Sequence, residues 1–157
     1  MKKQTLFVIL FSLVISLGFS QKTIKIACVG NSITYGSGVV NREKNAYPAQ
    51  LQQLLGDSYT VKNYGVSGRT LLKKGDYPYL ETNKYKEALN FIPDIVFIKL
   101  GTNDSKSHNR IHLDEFESNY NELINSFKKK KIKIPELFYY CLFQHLQLIL
   151  LVFGILL

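Results

Sequence analysis

The chain has 157 residues, of which 46% are hydrophobic, and a formal net charge of +8 at pH 7. This length suits one domain, and this apolar fraction excludes global disorder because it is large enough to form a buried core. Five lysines lie within 128–133, and we interpret them as the solvated C-terminal end of a helix. No nucleic-acid binding is expected, because no recognition motif or base-stacking platform accompanies this lysine run.

Cysteine usage and residue spacing point away from metal sites, disulfide frameworks and cofactors. The two cysteines, Cys28 and Cys141, do not belong to a C-x-x-C motif and are too few for a disulfide framework. No His, Cys or carboxylate spacing typical of a metal site is visible. We therefore expect no metal and no cofactor.

Residues 1–20 have the pattern of a secretory signal peptide. Two lysines near the start precede an apolar stretch over 6–17, and small residues stand at Gly18 and Ser20, as signal peptidases prefer. The alternative is an uncleaved membrane anchor, but the apolar stretch is shorter than the roughly 20 residues that span a bilayer. We expect an exported protein, periplasmic or extracellular.

In chain order, β-branched or apolar runs alternate with segments whose apolar residues share one helical face. Glycine or proline ends most of these segments. A fourth strand could begin at 132–135. Strands that alternate with helices favour an α/β fold with a parallel sheet covered on both faces. Strands are predicted at 23–29, 59–64 and 94–100, and helices at 47–55, 83–92 and 113–128.

Each predicted strand ends in a glycine followed by small polar residues. The three turns begin at Gly30, Gly65 and Gly101. In open α/β sheets, ligands bind outside the carboxyl ends of the strands. The sequence therefore predicts a functional site where these three turns meet.

These turns carry a family resemblance. Gly-Asn-Ser-Ile-Thr at 30–34 resembles block I of the SGNH (GDSL-type) hydrolases, whose common form is Gly-Asp-Ser. Gly65 resembles the block II glycine, and Gly-Thr-Asn-Asp at 101–104 resembles block III, Gly-x-Asn-Asp. The resemblance covers about 25–104 and is greatest to bacterial enzymes that remove O-acetyl groups from carbohydrates, including sialate. It implies a three-layer α/β/α, flavodoxin-like fold with a parallel sheet, and an ester hydrolase.

The resemblance also implies the roles of the site residues. Ser32 is the implied nucleophile of a serine esterase, and its hydroxyl would attack the acyl carbonyl. The implied oxyanion donors are the backbone N–H groups of Ser32 and Gly65 and the side-chain amide of Asn103, which offers two N–H donors without a charge. The implied substrate is a small-molecule or carbohydrate ester.

The catalytic base is the main departure from the family pattern. The family supplies it from an Asp-x-x-His near the C-terminus, whereas His108, His112 and His145 are not preceded by aspartate at that offset. We therefore expect impaired hydrolysis, because a serine without a base is a poor nucleophile at neutral pH. The alternative is a membrane-tethered or non-catalytic glycan-binding protein. A phosphate-binding loop at 30–36 is disfavoured, because it lacks the Gly-Lys-Ser/Thr ending.

The last segment, 136–157, is apolar and almost free of charge. It can be interpreted as a tail anchor in contact with a membrane, as a long buried helix, or as translation in another reading frame from about 135–141 onward. We favour the third interpretation, which leaves a partial SGNH domain over 21–135. On this hypothesis the sheet is truncated after about three strands.

Overall fold

The computed structural model describes residues 22–130 and the backbone of 139–141. The expected signal peptide, the strand predicted at 132–135 and most of the apolar segment lie outside the described residues.

The sheet is parallel, as the sequence predicts. Among the described strands the order is β2-β1-β3-β4, so β1 and β3 are interior and β2 lies at one edge. The sheet has one strand more than expected, because β4 lies inside the segment interpreted as an apolar tail and pairs with β3. Its Tyr-Tyr-Cys sequence contains two aromatic residues, a type that is enriched in strands. The strands are β1 (Ile24–Gly30), β2 (Tyr59–Gly65), β3 (Ile95–Lys99) and β4 (Tyr139–Cys141).

The helices follow the predicted pattern with small changes in their bounds. The helices predicted at 47–55 and 83–92 are confirmed. The last predicted helix begins later, because Leu113–Glu115 forms a 3₁₀ turn ahead of it. Three four-residue helices in the loops were not predicted, since segments this short show no periodicity. The helices are α1 (Ser32–Tyr35), α2 (Arg42–Asn45), α3 (Tyr47–Leu55), α4 (Asn83–Phe91), α5 (Ser107–Arg110) and α6 (Phe116–Lys130).

Helices cover both faces of the sheet. Ala27 and Val29 of β1 belong to the apolar cluster that includes Leu123 and Phe127 of α6 and also residues of α4. Cys28 lies between these two residues in β1, and its side chain points to the other face because side chains alternate along a strand. There the Cys28 thiol lies against the Tyr47 hydroxyl of α3, and burial raises the pKa of this thiol to about 12. The three-layer α/β/α arrangement is therefore confirmed.

Side chains cover the backbone of the edge strand β2. Gln52 accepts a hydrogen bond from the Val61 N–H (2.6 Å) and donates to the carbonyl of Tyr59 (3.0 Å). Asn63 accepts from the Gly65 N–H (2.9 Å) and donates to the carbonyl of Thr34 (2.8 Å). Three of these bonds satisfy backbone groups of β2 that an edge strand otherwise leaves open to another chain. The bond to Thr34 joins β2 to α1.

Candidate active site

The carboxyl ends of β1, β2 and β3 lie side by side. Gly30 pairs with Gly65 in the sheet register. The N–H of Val66 donates to the Gly30 carbonyl (2.9 Å), and the N–H of Asn31 donates to the Lys99 carbonyl (3.2 Å). The turns that follow the three strands therefore emerge at one edge of the sheet, where the sequence predicts the functional site.

Ser32 is the first residue of α1 and follows β1 after a single residue. Asn31 caps this helix, because its buried Oδ1 accepts the N–H of Ile33 at 3.1 Å. Ser32 is half-buried, and the N–H of a first helical residue has no acceptor within its own helix. This position leaves both the hydroxyl and the N–H of Ser32 available to a ligand.

Gly30 permits the tight turn between β1 and α1. A Cβ atom at this position would lie 2.1 Å from the Thr34 Oγ1 and 2.7 Å from the Lys99 carbonyl oxygen. No side chain fits there, because α1 folds back directly over the strand end. The glycine therefore fixes where Ser32 stands relative to the sheet.

Gly65 lies against α1. Its missing side chain makes room for the helix backbone, since a Cβ atom would lie 2.2 Å from the Tyr35 nitrogen. Its N–H already donates to the Asn63 Oδ1 at 2.9 Å. The predicted role of this N–H as an oxyanion donor stays a prediction, and it requires Asn63 to share or release the hydrogen bond.

A second glycine in the same turn, Gly68, is not among the site residues predicted from the sequence. It has a positive φ of 79°, and the space around a Cβ atom there is open. The next residue, Arg69, accepts a hydrogen bond from Asn103 through its carbonyl oxygen. The Gly-Val-Ser-Gly sequence at 65–68 was the available signal, because it places a second glycine at the same strand end. The Gly68 N–H is therefore an additional candidate oxyanion donor.

Asn103 lies in the loop after β3 and reaches across to the turn after β2. Its Nδ2 donates to the Arg69 carbonyl at 2.9 Å. An amide nitrogen carries two hydrogens, so this bond holds the side chain in place and leaves one N–H for a ligand. The structure thus brings Asn103 and the Gly68–Arg69 turn together.

Asp104 ties the loop after β3 to the segment that follows Arg69. Its fully buried carboxylate accepts the N–H of Leu71 (3.0 Å) and of Leu72 (2.7 Å). Burial raises the pKa of this carboxyl group. Asp104 therefore holds the position of its neighbour Asn103 through the backbone.

Neither of the described histidines, His108 and His112, hydrogen-bonds to Ser32. His108 is exposed, and its Nε2 lies 3.1 Å from the Asp76 Oδ2. Asn109 donates both to the Asp76 Oδ1 (2.9 Å) and to the Asn103 carbonyl (2.9 Å). The hydrogen bond from Asn109, with smaller contributions from His108 and Lys106, lowers the pKa of Asp76 to about 2. The Asp76 carboxylate thus belongs to the network that supports Asn103.

His112 is half-buried and His145 lies outside the described residues.

Within the described ranges, no group of three or more His, Cys, Asp or Glu side chains is placed to hold a metal ion. Over the same part of the chain, no helix combines the length and the apolar character needed to cross a bilayer.

Similar folds occur in solved structures of esterases. An inhibitor-bound aryl esterase from M. smegmatis superposes with a TM-score of 0.59 at 20% identity, covering 76% of this chain and 64% of that one. Est24, a carbohydrate acetylesterase from Sinorhizobium meliloti, gives a TM-score of 0.57 at 20% identity, covering 76% and 63%. These likenesses support the fold.

Sequence similarity extends over the site. An acetylxylan esterase from Xylanibacter ruminicola is 52% identical over 108 residues, which are 69% of this chain and 22% of that protein. The chain thus spans about a fifth of the length of this relative. Residues 28–151 match the GDSL-like lipase/acylhydrolase family. With the three turns at one sheet edge and a match over most of its length, the chain belongs to the GDSL-like lipase/acylhydrolase family.

Proposed function

We propose that this chain provides the nucleophile and the oxyanion hole of a serine esterase that removes acetyl groups from a carbohydrate. The observation that carries the proposal is the meeting of two turns at one sheet edge. One turn presents Ser32, and the other is held by Asn103 through the Arg69 carbonyl. The 52% identity to a protein named acetylxylan esterase supports an acetylated carbohydrate as the substrate.

In the proposed reaction, the Ser32 Oγ attacks the acyl carbonyl carbon, and the carbonyl oxygen becomes an oxyanion. The Ser32 N–H and the free N–H of the Asn103 amide donate to this oxygen. A backbone N–H of the turn after β2 supplies a third donor. The Gly68 N–H forms no hydrogen bond within the described residues, whereas the Gly65 N–H must first give up its bond to Asn63.

The proton of Ser32 needs an acceptor. Among the described residues, His108 is paired with Asp76, and no histidine hydrogen-bonds to Ser32. We therefore propose that hydrolysis by this chain is slow. If the same residues bind a glycan without hydrolysing it, the chain is a glycan-binding protein, which is the second candidate function. Carbohydrate polymers are substrates outside the cell, so the proposal also includes export through residues 1–20.

Hydrolysis of p-nitrophenyl acetate by the purified chain tests this function. We expect Ser32→Ala to abolish hydrolysis above background, because it removes the attacking oxygen. Asn103→Ala should lower kcat about a hundredfold, the usual cost of one lost oxyanion donor. Ser118→Ala, at an exposed serine of α6, is the matched control and should have no effect. Equal rates for the chain and for Ser32→Ala would contradict the esterase and leave the glycan-binding alternative.

A further inference from the structure

Arg69 stands directly beside the proposed oxyanion hole. Its carbonyl oxygen accepts the Asn103 Nδ2 at 2.9 Å, and Gly68 precedes it. Its side chain therefore starts one residue away from the candidate donor Gly68. The Arg69 side chain has no part in the proposed acyl transfer.

The Arg69 guanidinium has no acceptor among the described residues. Its Nε is buried and has no hydrogen-bond partner in the described part of the chain, and no carboxylate there forms a salt bridge with it. The guanidinium carbon lies over the Tyr77 ring, 5.6 Å from its centroid. The two terminal nitrogens are not buried and form no hydrogen bond within the described residues. A ligand that supplies oxygen acceptors can therefore reach them and gain hydrogen bonds from a charged donor.

Tyr77 completes a surface beside this guanidinium. Its side chain is 57% exposed, which leaves part of the aromatic ring open to a ligand. The backbone holds the two residues in register, because the Thr70 N–H donates to the Tyr77 carbonyl (3.0 Å) and the Tyr79 N–H donates to the Thr70 carbonyl (2.9 Å). Binding therefore does not require ordering of this segment, which favours affinity.

We propose that Arg69 and Tyr77 form the subsite for the sugar portion of the substrate. The sugar ring lies on the Tyr77 ring, and the guanidinium donates to two neighbouring oxygens of the sugar. A carboxylate matches the planar guanidinium with two parallel hydrogen bonds, and a pair of ring hydroxyls offers the same spacing of acceptors. The inference rests on the proposed function, because it names the residues that select the alcohol part of the ester.

A binding measurement tests the sugar subsite independently of catalysis. Calorimetry would measure the affinity of Ser32→Ala for acetylated xylo-oligosaccharides, which are neutral, and for acetylated galacturonate oligosaccharides, which carry carboxylates. In the Ser32→Ala background, Arg69→Gln should weaken binding about tenfold or more, because a hydrogen bond from a charged donor is lost. Arg110→Gln, at an exposed arginine of α5, is the control and should leave the affinity unchanged.

The two sugars identify the acceptor. A larger loss with the galacturonate ligand assigns the guanidinium to a carboxylate, and equal losses assign it to hydroxyl groups. Arg69→Lys keeps the charge without the planar fork and should bind more weakly than the parent. Tyr77→Ala, at an exposed side chain, tests the same subsite if Arg69→Gln fails to fold. Unchanged affinity for both sugars in the Arg69→Gln and Tyr77→Ala proteins would overturn the inference.

Hydrolysis assays distinguish failure of the sugar subsite from failure of the esterase function. If the chain hydrolyses esters, Arg69→Gln should lower kcat/KM for the acetylated sugar more than for p-nitrophenyl acetate, which has no sugar. Equal effects on both esters would refute the subsite while the esterase function stands. Sugar binding that depends on Arg69 in a chain without hydrolysis would refute the esterase function and support the subsite.

Discussion

At the residue scale, the glycines of the turn after β2 are needed for different physical reasons. Gly65 lies where the backbone of α1 approaches, with the Tyr35 nitrogen 2.2 Å from the position of a Cβ atom. Gly68 has open space around it but a positive φ of 79°, which side chains rarely tolerate. Close packing therefore excludes a side chain at Gly65, and backbone conformation disfavours one at Gly68.

Alanine substitutions should separate these two causes. Gly65→Ala forces the backbone of α1 to move, and we expect it to lower the free energy of unfolding by about 1–3 kcal/mol or more, as for overpacking. Gly68→Ala should cost only about 1–2 kcal/mol, the price of a left-handed residue with a side chain. Gly38→Ala, at the same φ of 79° with open space, is the matched control for φ alone. Urea unfolding gives all three values, and a Gly65→Ala loss no larger than that of Gly38→Ala would refute the packing argument.

The sequence predicted part of this site. Ser32 and Asn103 follow buried strands in recognisable turns, so their meeting at one sheet edge could be foreseen. The hydrogen bond from the Gly65 N–H to Asn63 could not be foreseen, because it depends on one side-chain rotamer that folds back over the strand end. The contact between Asn103 and the Arg69 carbonyl joins residues 34 positions apart, which no local pattern reveals.

At the element scale, the loop after β3 holds the segment 69–76 in place from one side. Asp104 accepts the N–H groups of Leu71 and Leu72, and Asn109 accepts the N–H of Asp76 at 2.8 Å. This segment has no regular secondary structure over most of its length, so these side chains take the place of a hydrogen-bonded ladder. Asn103 and Arg69 keep their relative position because the two segments are joined.

Asp104→Asn should destabilise this junction. An amide has one oxygen where the carboxylate has two, so one of the N–H groups of Leu71 and Leu72 loses its buried acceptor and faces an N–H donor instead. We expect a loss of about 1–3 kcal/mol in the free energy of unfolding. Asp57→Asn, at an exposed aspartate, is the control. Equal stability of the two variants in urea unfolding would show that the junction does not depend on the carboxylate.

Asp76 should make the same junction sensitive to acid. Its pKa falls from 3.8 to about 2, chiefly through the hydrogen bond from Asn109. A lowered pKa in the folded state means that the ionised carboxylate stabilises the fold above about pH 4, and that this contribution is lost as the pH falls toward about 2.

Comparison with Asp76→Asn isolates this effect, because the other carboxylates titrate equally in both proteins. The parent should be the more stable of the two at about pH 5, and the difference should shrink as the pH falls from about 4 to about 2. Unfolding free energies measured at several pH values check this. A difference that stays constant over that range would show that ionisation of Asp76 does not support the junction.

At the scale of the whole molecule, alternating strands and helices were enough to predict a parallel three-layer fold. The position of β4 was not predicted, because a three-residue strand exists only through its pairing with β3. The protection of β2 was also hidden, since it comes from the side chains of Gln52 and Asn63 rather than from another strand. Both features depend on contacts between segments distant in the sequence.

The protection of β2 should control whether the molecule associates with itself. Gln52→Ala removes the acceptor of the Val61 N–H and a donor to the Tyr59 carbonyl, so these groups become free to pair with another chain. We expect a larger oligomeric or aggregated fraction in sedimentation velocity, increasing with protein concentration. Gln53→Ala changes an exposed neighbour on the same helix and should sediment like the parent. If both variants sediment alike, solvent alone satisfies the edge of β2, and the side chain of Gln52 serves only local stability.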